Sequence, residues 1–174
     1  MSPYLRGIRE RIGHELLLLP AVSVLVWDEH GRLLLVRGSD TGTWQMIGGA
    51  VEPEESPWEA AHREAAEETG IELCVTGIRA VIGGPRFHHV YPNGDRVAFV
   101  STVFDARIKR GEPVPDDDET TEVAWFDPAE LVAGARDAPG SPHDETLPSL
   151  ALEILKAAGI TGGHPSGTIA DDRA

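Results

Sequence analysis

The chain has 174 residues, with 29 Asp and Glu against 15 Lys and Arg, which gives a formal charge of −14. That length fits one domain with short appendages, and 41% hydrophobic residues are enough to build a core, which excludes wholesale disorder. The charge excludes a surface that grips nucleic-acid phosphates or anionic lipid unless a cation intervenes. It permits a protein that holds divalent cations and approaches phosphates through them.

Arg6, Arg9 and Arg11 precede an apolar run over residues 16–27. The run is interrupted by Pro20, is too short to span a bilayer, and ends in Asp28-Glu29-His30-Gly31, where a signal peptide would need small residues. It reads as a short amphipathic helix followed by the first core strand. Residues 1–20 are therefore expected to form an N-terminal helical extension, residues 21–160 the domain, and residues 161–174, rich in Gly and small polar residues, a disordered tail. Residues 21–27 and 32–36, joined by Glu29-His30-Gly31, read as a hairpin. Residues 43–51 form a loop or short strand whose Gly48 and Gly49 let the backbone approach something closely.

Residues 56–69 give the clearest helix. Ser56 is an N-cap, Pro57 suits the first turn, Glu59 completes a capping box, and Gly70 supplies the left-handed stop. Ala60, Ala61, Ala65 and Ala66 favour the helical state. Residues 73–82 read as a strand. Its Ile71-Glu72-Leu73-Cys74-Val75 alternation makes the single cysteine, Cys74, a small buried hydrophobe, and one cysteine excludes an internal disulfide framework and a cysteine metal cage. A reducing compartment, the cytoplasm, suits such a chain. Residues 87–91 and 96–108 are two further strands around Pro92-Asn93-Gly94-Asp95, Asn-Gly being a strong hairpin signal. An acidic loop (residues 112–122), a short strand (123–126), a helix opening at Asp127-Pro128 and running to about Val132, and a last amphipathic helix (145–158) complete the order. Strands in hairpins with one strongly capped helix between them point to an α+β fold, a mixed sheet with helices packed on it.

The chemistry sits on the capped helix. Glu64 is three residues from Glu67 and four from Glu68, so the three carboxylates share one face, with no lysine in the helix to interleave them. Hard oxygen ligands clustered this way suit Mg²⁺ or Mn²⁺, which accept carboxylates and leave positions for water and phosphate. Arg63 at the edge of that face can orient a carboxylate by a charge-assisted hydrogen bond. A solvated acidic stripe is the other reading of the helix alone.

The wider spacing separates the two. Gly49 is followed six residues later by Glu55, then by Arg63-Glu64, Ala65, Glu67-Glu68, Gly70 and Ile71. This resembles the 23-residue box of the Nudix hydrolases over every fixed position, with Ala65 standing where the strict pattern has a larger aliphatic. The resemblance covers roughly residues 21–131. It implies an α/β/α sandwich with a mixed β-sheet and a loop-helix-loop metal site. It also implies hydrolysis of the pyrophosphate bond of a nucleoside diphosphate linked to another moiety, of the ADP-ribose, sugar nucleotide or nucleoside triphosphate class, by water attack on phosphorus. Mg²⁺, with Mn²⁺ able to substitute, is the implied cofactor. Glu64, Glu67 and Glu68 look like its ligands together with a backbone carbonyl near Gly48, Glu55 like a supporting acid, and Arg63 like the residue that orients the cluster.

In many such enzymes a later loop supplies a further glutamate. Here that loop is residues 116–122, with Glu119 the first choice for the base and Glu122 the second; a merely solvated acidic loop is the competing reading. Arg37 at a strand end, and Phe87 and Tyr91 as stacking surfaces, are candidate substrate contacts, and His88 and His89 weaker ones; exposure for Arg37 and core packing for the aromatics compete with those roles. Trp44 reads as a core anchor beneath the glycine loop, and Ile47 stands where the family commonly has proline. The expected partner is a small nucleotide-type substrate, with no nucleic acid and no membrane, and the resemblance allows a homodimer. The second functional reading is a fold-sharing module that binds a nucleotide or partner without turnover.

Overall fold

A computed structural model describes residues 2–91, 93–133 and 149–160. The elements run α1 (Pro3–Ile12), β1 (Leu17–Val26), β2 (Leu33–Gly38), β3 (Trp44–Gln45), α2 (Pro57–Thr69), β4 (Glu72–Val90), β5 (Arg96–Arg110), β6 (Thr120–Phe126), α3 (Pro128–Ala133) and α4 (Ser149–Ala157). The strands form two three-stranded sheets, β1-β5-β4 and β3-β2-β6. In the first, β1 lies parallel to β5 and β4 antiparallel to it, so the sheet is mixed. In the second, β2 is antiparallel to both neighbours.

Alternating side chains divide the core between two helical layers. Val22, Val24 and Val26 of β1 and Leu34 and Val36 of β2 pack with Ala60, Ala61 and Ala65 of α2. Leu25, Leu33 and Leu35, one residue out of phase, pack with Ala151, Ile154 and Leu155 of α4. The result is the α/β/α arrangement expected from the box. Each fully buried leucine or valine contributes on the order of 1.5–3 kcal/mol of transfer free energy, and the small alanines let α2 lie close against the strands.

β1 and β2 do not form the expected hairpin. One bridge, Trp27 to Leu33, joins them before they part into different sheets. From Ala21 to Val26 and from Leu33 to Val36 successive residues are buried on both faces, so each is a central strand that needs partners on both edges. β1 takes β5 on one edge. On the other it takes the glycine loop, through Val22 N–H to Gly49 O (2.9 Å), Val24 N–H to Ile47 O (2.8 Å) and Val51 N–H to Pro20 O (3.0 Å).

Other boundaries also move. β1 starts at Leu17 rather than at residue 21. The strands expected at 73–82 and 87–91 are one long β4, interrupted by register shifts that include one between Gly83 and His88. Cys74 is exposed, not buried, because the inward phase of β4 at this point belongs to Leu73. The Asn93-Gly94 hairpin forms as expected, with Gly94 at φ 91° and Asn93 Oδ1 accepting from Asp95 N–H at 3.0 Å. The start of the expected last helix (residues 145–148) and the tail (161–174) lie outside the described residues.

α1 is held on its own chain. Arg9 donates to the Arg96 carbonyl at 2.8 Å, and His14 Nδ1 lies 2.8 Å from Asp95 Oδ1, which also has the Arg9 guanidinium 3.7 Å away. No described helix is long and apolar enough to cross a membrane.

Candidate active site

α2 forms where the caps dictate. Ser56 Oγ accepts from Glu59 N–H at 3.3 Å while Glu59 Oε2 accepts from Ser56 N–H at 2.8 Å, and Gly70 stops the helix at φ 70°. Glu64 and Glu68 fall on its buried face, at 7% and 4% exposure, whereas Glu67 points outward and is exposed. The expected shared face is therefore graded: two carboxylates go inward towards the glycine loop and one stands at the rim.

Arg63 ties the cluster together. It pairs with Glu55 through Nη2 to Oε1 (2.6 Å) and Nε to Oε2 (3.0 Å), and Nη1 reaches Glu64 Oε1 (2.8 Å) and Glu67 Oε2 (2.9 Å). Nη2 also donates to the Ala50 carbonyl at 3.0 Å, and Glu52 N–H donates to Glu55 Oε1 at 2.9 Å. One guanidinium thus fastens the helix to the loop before it. These hydrogen bonds hold the Glu55 carboxyl below its ordinary range and push the Arg63 pKa up.

The two glycines are needed for different reasons. A Cβ on Gly49 would collide with the Glu64 carboxylate, and one on Gly48, at φ 153°, with the Val22 carbonyl. The Gly48 backbone N–H faces the Glu68 carboxylate and favours its charged form. One Glu68 oxygen, Oε2, is buried without a hydrogen-bond partner. Burial first, then the neighbouring Glu64, raise the Glu68 pKa well above the ordinary carboxylate range; Glu64 is raised too, by burial that outweighs its pairing with Arg63.

A buried carboxylate oxygen with nothing to bind, beside a second inward carboxylate, suits a hard divalent cation. Among the described residues no three His, Cys, Asp or Glu side chains are placed to hold a metal ion together, and Arg63 is bonded to both Glu64 and Glu67. The donor chemistry fits Mg²⁺ or Mn²⁺; coordination by those two carboxylates would require them to share or exchange the guanidinium.

The acidic loop comes to the same place. Glu119 raises the pKa of both Glu64 and Glu68 by its charge, so its carboxylate lies within electrostatic reach of them. Glu122 does not join that cluster: it sits opposite Arg37 in the β2–β6 ladder and accepts from Arg37 Nη1 at 2.7 Å. Arg37 also donates to the Gly42 carbonyl at 2.8 Å. Phe87 is a core residue on the α4 side. Tyr91 is half-buried at the hairpin, and Asp40, Arg9 and Asp95 influence its hydroxyl electrostatically. His89 makes an edge-on contact with the Tyr91 ring, and His88 is exposed. Trp44 anchors the core edge-on to Phe126, with ring centroids 4.9 Å apart. Ile47 fills the core, and its carbonyl is fixed by Val24, so the loop is held without a proline ring.

Asp116 and Thr120 were not among the sequence candidates. Asp116 Oδ1 accepts from the backbone N–H of Asp118, Glu119 and Thr120, and Thr120 Oγ1 donates to the Glu68 carbonyl. An Asp followed by polar residues is a turn signal, and it was legible as one, but its target on α2 was not.

Comparison with known proteins agrees with this geometry. The family model described as NUDIX domain matches residues 17–150. The chain is 35% identical over 111 residues to a MutT-like protein of Streptomyces ambofaciens, covering 64% of this chain and 65% of that one. It is 32% identical over 108 residues to a putative 8-oxo-dGTP diphosphatase of Bacillus subtilis, covering 62% and 66%. The matches thus span a little under two thirds of these relatives' length. Among solved structures, the MutT protein of Methanosarcina mazei superposes with a TM-score of 0.62 at 24% identity, over 83% of this chain and 95% of that one. The chain belongs to the Nudix family, and its fold is the Nudix fold.

Proposed function

We propose that this protein hydrolyses the pyrophosphate bond of a small nucleotide-type substrate in a reaction that depends on Mg²⁺, with Mn²⁺ able to substitute. The observation that carries the reading is the partnerless buried oxygen of Glu68, a carboxylate flanked by Glu64 and faced by the Gly48 N–H. Glu64, Glu67 and Glu68 would hold the cation together with a backbone carbonyl near Gly48. When bound, it would offset substrate charge, acidify a coordinated water and stabilise negative charge developing on phosphate. Glu55 and Arg63 keep Glu64 and Glu67 in place. Glu119 takes the proton of the attacking water as the new O–P bond forms and the bridging P–O bond breaks. Arg37 and Tyr91 are kept as substrate contacts from the sequence reading; Phe87, enclosed in the core, has no part in this reading.

The name of the Bacillus subtilis relative, a putative 8-oxo-dGTP diphosphatase, favours a nucleoside triphosphate over ADP-ribose or sugar nucleotides as the substrate class. We read the reaction as cytoplasmic, where such substrates and a lone unpaired cysteine are both at home. The test is a panel of dGTP, 8-oxo-dGTP, ADP-ribose and UDP-glucose with Mg²⁺, products read by mass spectrometry. Cleavage of a triphosphate that ceases in EDTA and in Glu68→Gln is expected. Nucleotide binding that persists in EDTA with no turnover of any panel member would replace this reading with that of a binding module.

A further inference from the structure

We infer that Thr120 is a positioning residue that sets Glu119 against the carboxylate end of α2; the inference rests on the reading of Glu119 as proton acceptor. The last carbonyls of a helix have no partner within it. Here the acidic loop supplies them: Val114 N–H donates to the Thr69 carbonyl at 3.1 Å, and Thr120 Oγ1 to the Glu68 carbonyl at 2.8 Å. Thr120 is fully buried, although the residues on either side of it are exposed.

The same hydroxyl accepts from Asp116 N–H at 3.2 Å, and Asp116 Oδ1 takes the N–H groups of Asp118 (3.1 Å), Glu119 (3.0 Å) and Thr120 (2.8 Å). From the other side, Ser39 N–H donates to the Glu119 carbonyl at 2.9 Å and Ser39 Oγ to the Asp118 carbonyl at 2.7 Å. The backbone of Glu119 is therefore gripped at both its N–H and its C=O. The next residue fastens that unit to Glu68, whose side chain the site uses. Thr120 Oγ1 makes the side-chain bond that ties the Glu119 segment directly to the Glu68 backbone. Valine has nearly the shape of threonine but cannot donate, so Thr120→Val removes the fastening while keeping the volume.

The experiment compares Thr120→Val, Thr120→Ser, Glu119→Gln and the Thr120→Val/Glu119→Gln double variant. Turnover is measured on dGTP with Mg²⁺, and amide hydrogen exchange over residues 116–120 without nucleotide. Thr120→Val should speed exchange of the Glu119 and Thr120 amides and lower kcat about 10- to 100-fold with KM little changed. Thr120→Ser should restore both. In the Glu119→Gln background, Thr120→Val should cost little more, since the two residues act as a unit. Wild-type exchange in Thr120→Val, or the same loss of kcat with and without Glu119, would overturn the inference. If Glu119→Gln alone leaves kcat intact, the proton-acceptor reading falls, while the exchange rates still decide whether Thr120 fastens the loop.

Discussion

Arg63 grips Glu55 with two prongs, Nη2 to Oε1 at 2.6 Å and Nε to Oε2 at 3.0 Å, and spends its third nitrogen on Glu64 and Glu67. The fork geometry matters more than the charge, since three carboxylates and a carbonyl are addressed from one plane. Arg63→Lys keeps the charge and loses the fork. It should destabilise the fold by about 1–3 kcal/mol, the range for hydrogen bonds to charged groups, and lower kcat by roughly tenfold or more as Glu64 and Glu67 drift. Thermal unfolding and steady-state kinetics on the same preparation check both; an unchanged kcat would remove Arg63 from the site.

The paired glycines should separate by phenotype. Gly48→Ala drives a methyl into the Val22 carbonyl at a backbone conformation that side chains rarely adopt, so the fold should suffer, by about 1–3 kcal/mol. Gly49→Ala meets only the end of the Glu64 side chain, which can swing aside. Its Tm should stay near wild type while activity is lost. Equal Tm losses in the two variants would contradict this division.

Glu68 carries a cost that a bound cation would relieve. Its folded pKa lies well above the ordinary 4.5 because of burial and the facing charges of Glu64, Glu119 and Asp116, against one lowering contact from Gly48 N–H. A raised carboxyl stabilises the fold below about pH 4.5, where both states hold the proton, and that stability is lost as pH rises towards the folded value. Glu68→Gln, neutral throughout, should match wild type near pH 4 in EDTA and exceed it by roughly 2–8 °C in Tm at pH 8. Added MgCl₂ should raise the wild-type Tm and leave that of the variant unmoved. A variant less stable than wild type at pH 8 in EDTA would show that the buried charge is already compensated.

Asp95 shows the opposite sign. Its hydrogen bond to His14, with help from Asn93 and Arg9, holds its pKa below the ordinary 3.8. The stability it gives is complete above pH 3.8 and is lost as pH falls through the lower folded value. Asp95→Asn should loosen α1 at pH 7, read as faster tryptic cleavage after Arg11, and the difference from wild type in Tm should close as pH falls below about 3.8. Equal cleavage rates would mean that Arg9 and its carbonyl contacts suffice to hold the helix.

Local signals were read well from residues alone. The caps of α2 and the Asn93-Gly94 turn are set by atoms within a few positions of each other, and the box glutamates by helical spacing. What depends on distant partners was not readable. The parting of β1 and β2 follows from β5 and β6, far along the chain, and a turn between two apolar runs looks the same whether or not they pair. The exposure of Cys74 follows from strand phase, and the pairing of Glu122 with Arg37 from the β2–β6 ladder. The α1 contacts link residues 9 and 14 to 95 and 96, with no pattern in either segment to announce them.

The glycine loop is itself a rung of the sheet. Because the Val22 and Val24 amides donate to Gly49 and Ile47, the loop cannot swing away as a lid does without breaking bonds on the buried stretch of β1. Under the proposed function, adaptation to substrates of different size would fall instead to the exposed segments around Ser39 and Glu119. Diversity of appetite can then evolve at the periphery of this molecule while its cutting edge stays stiff.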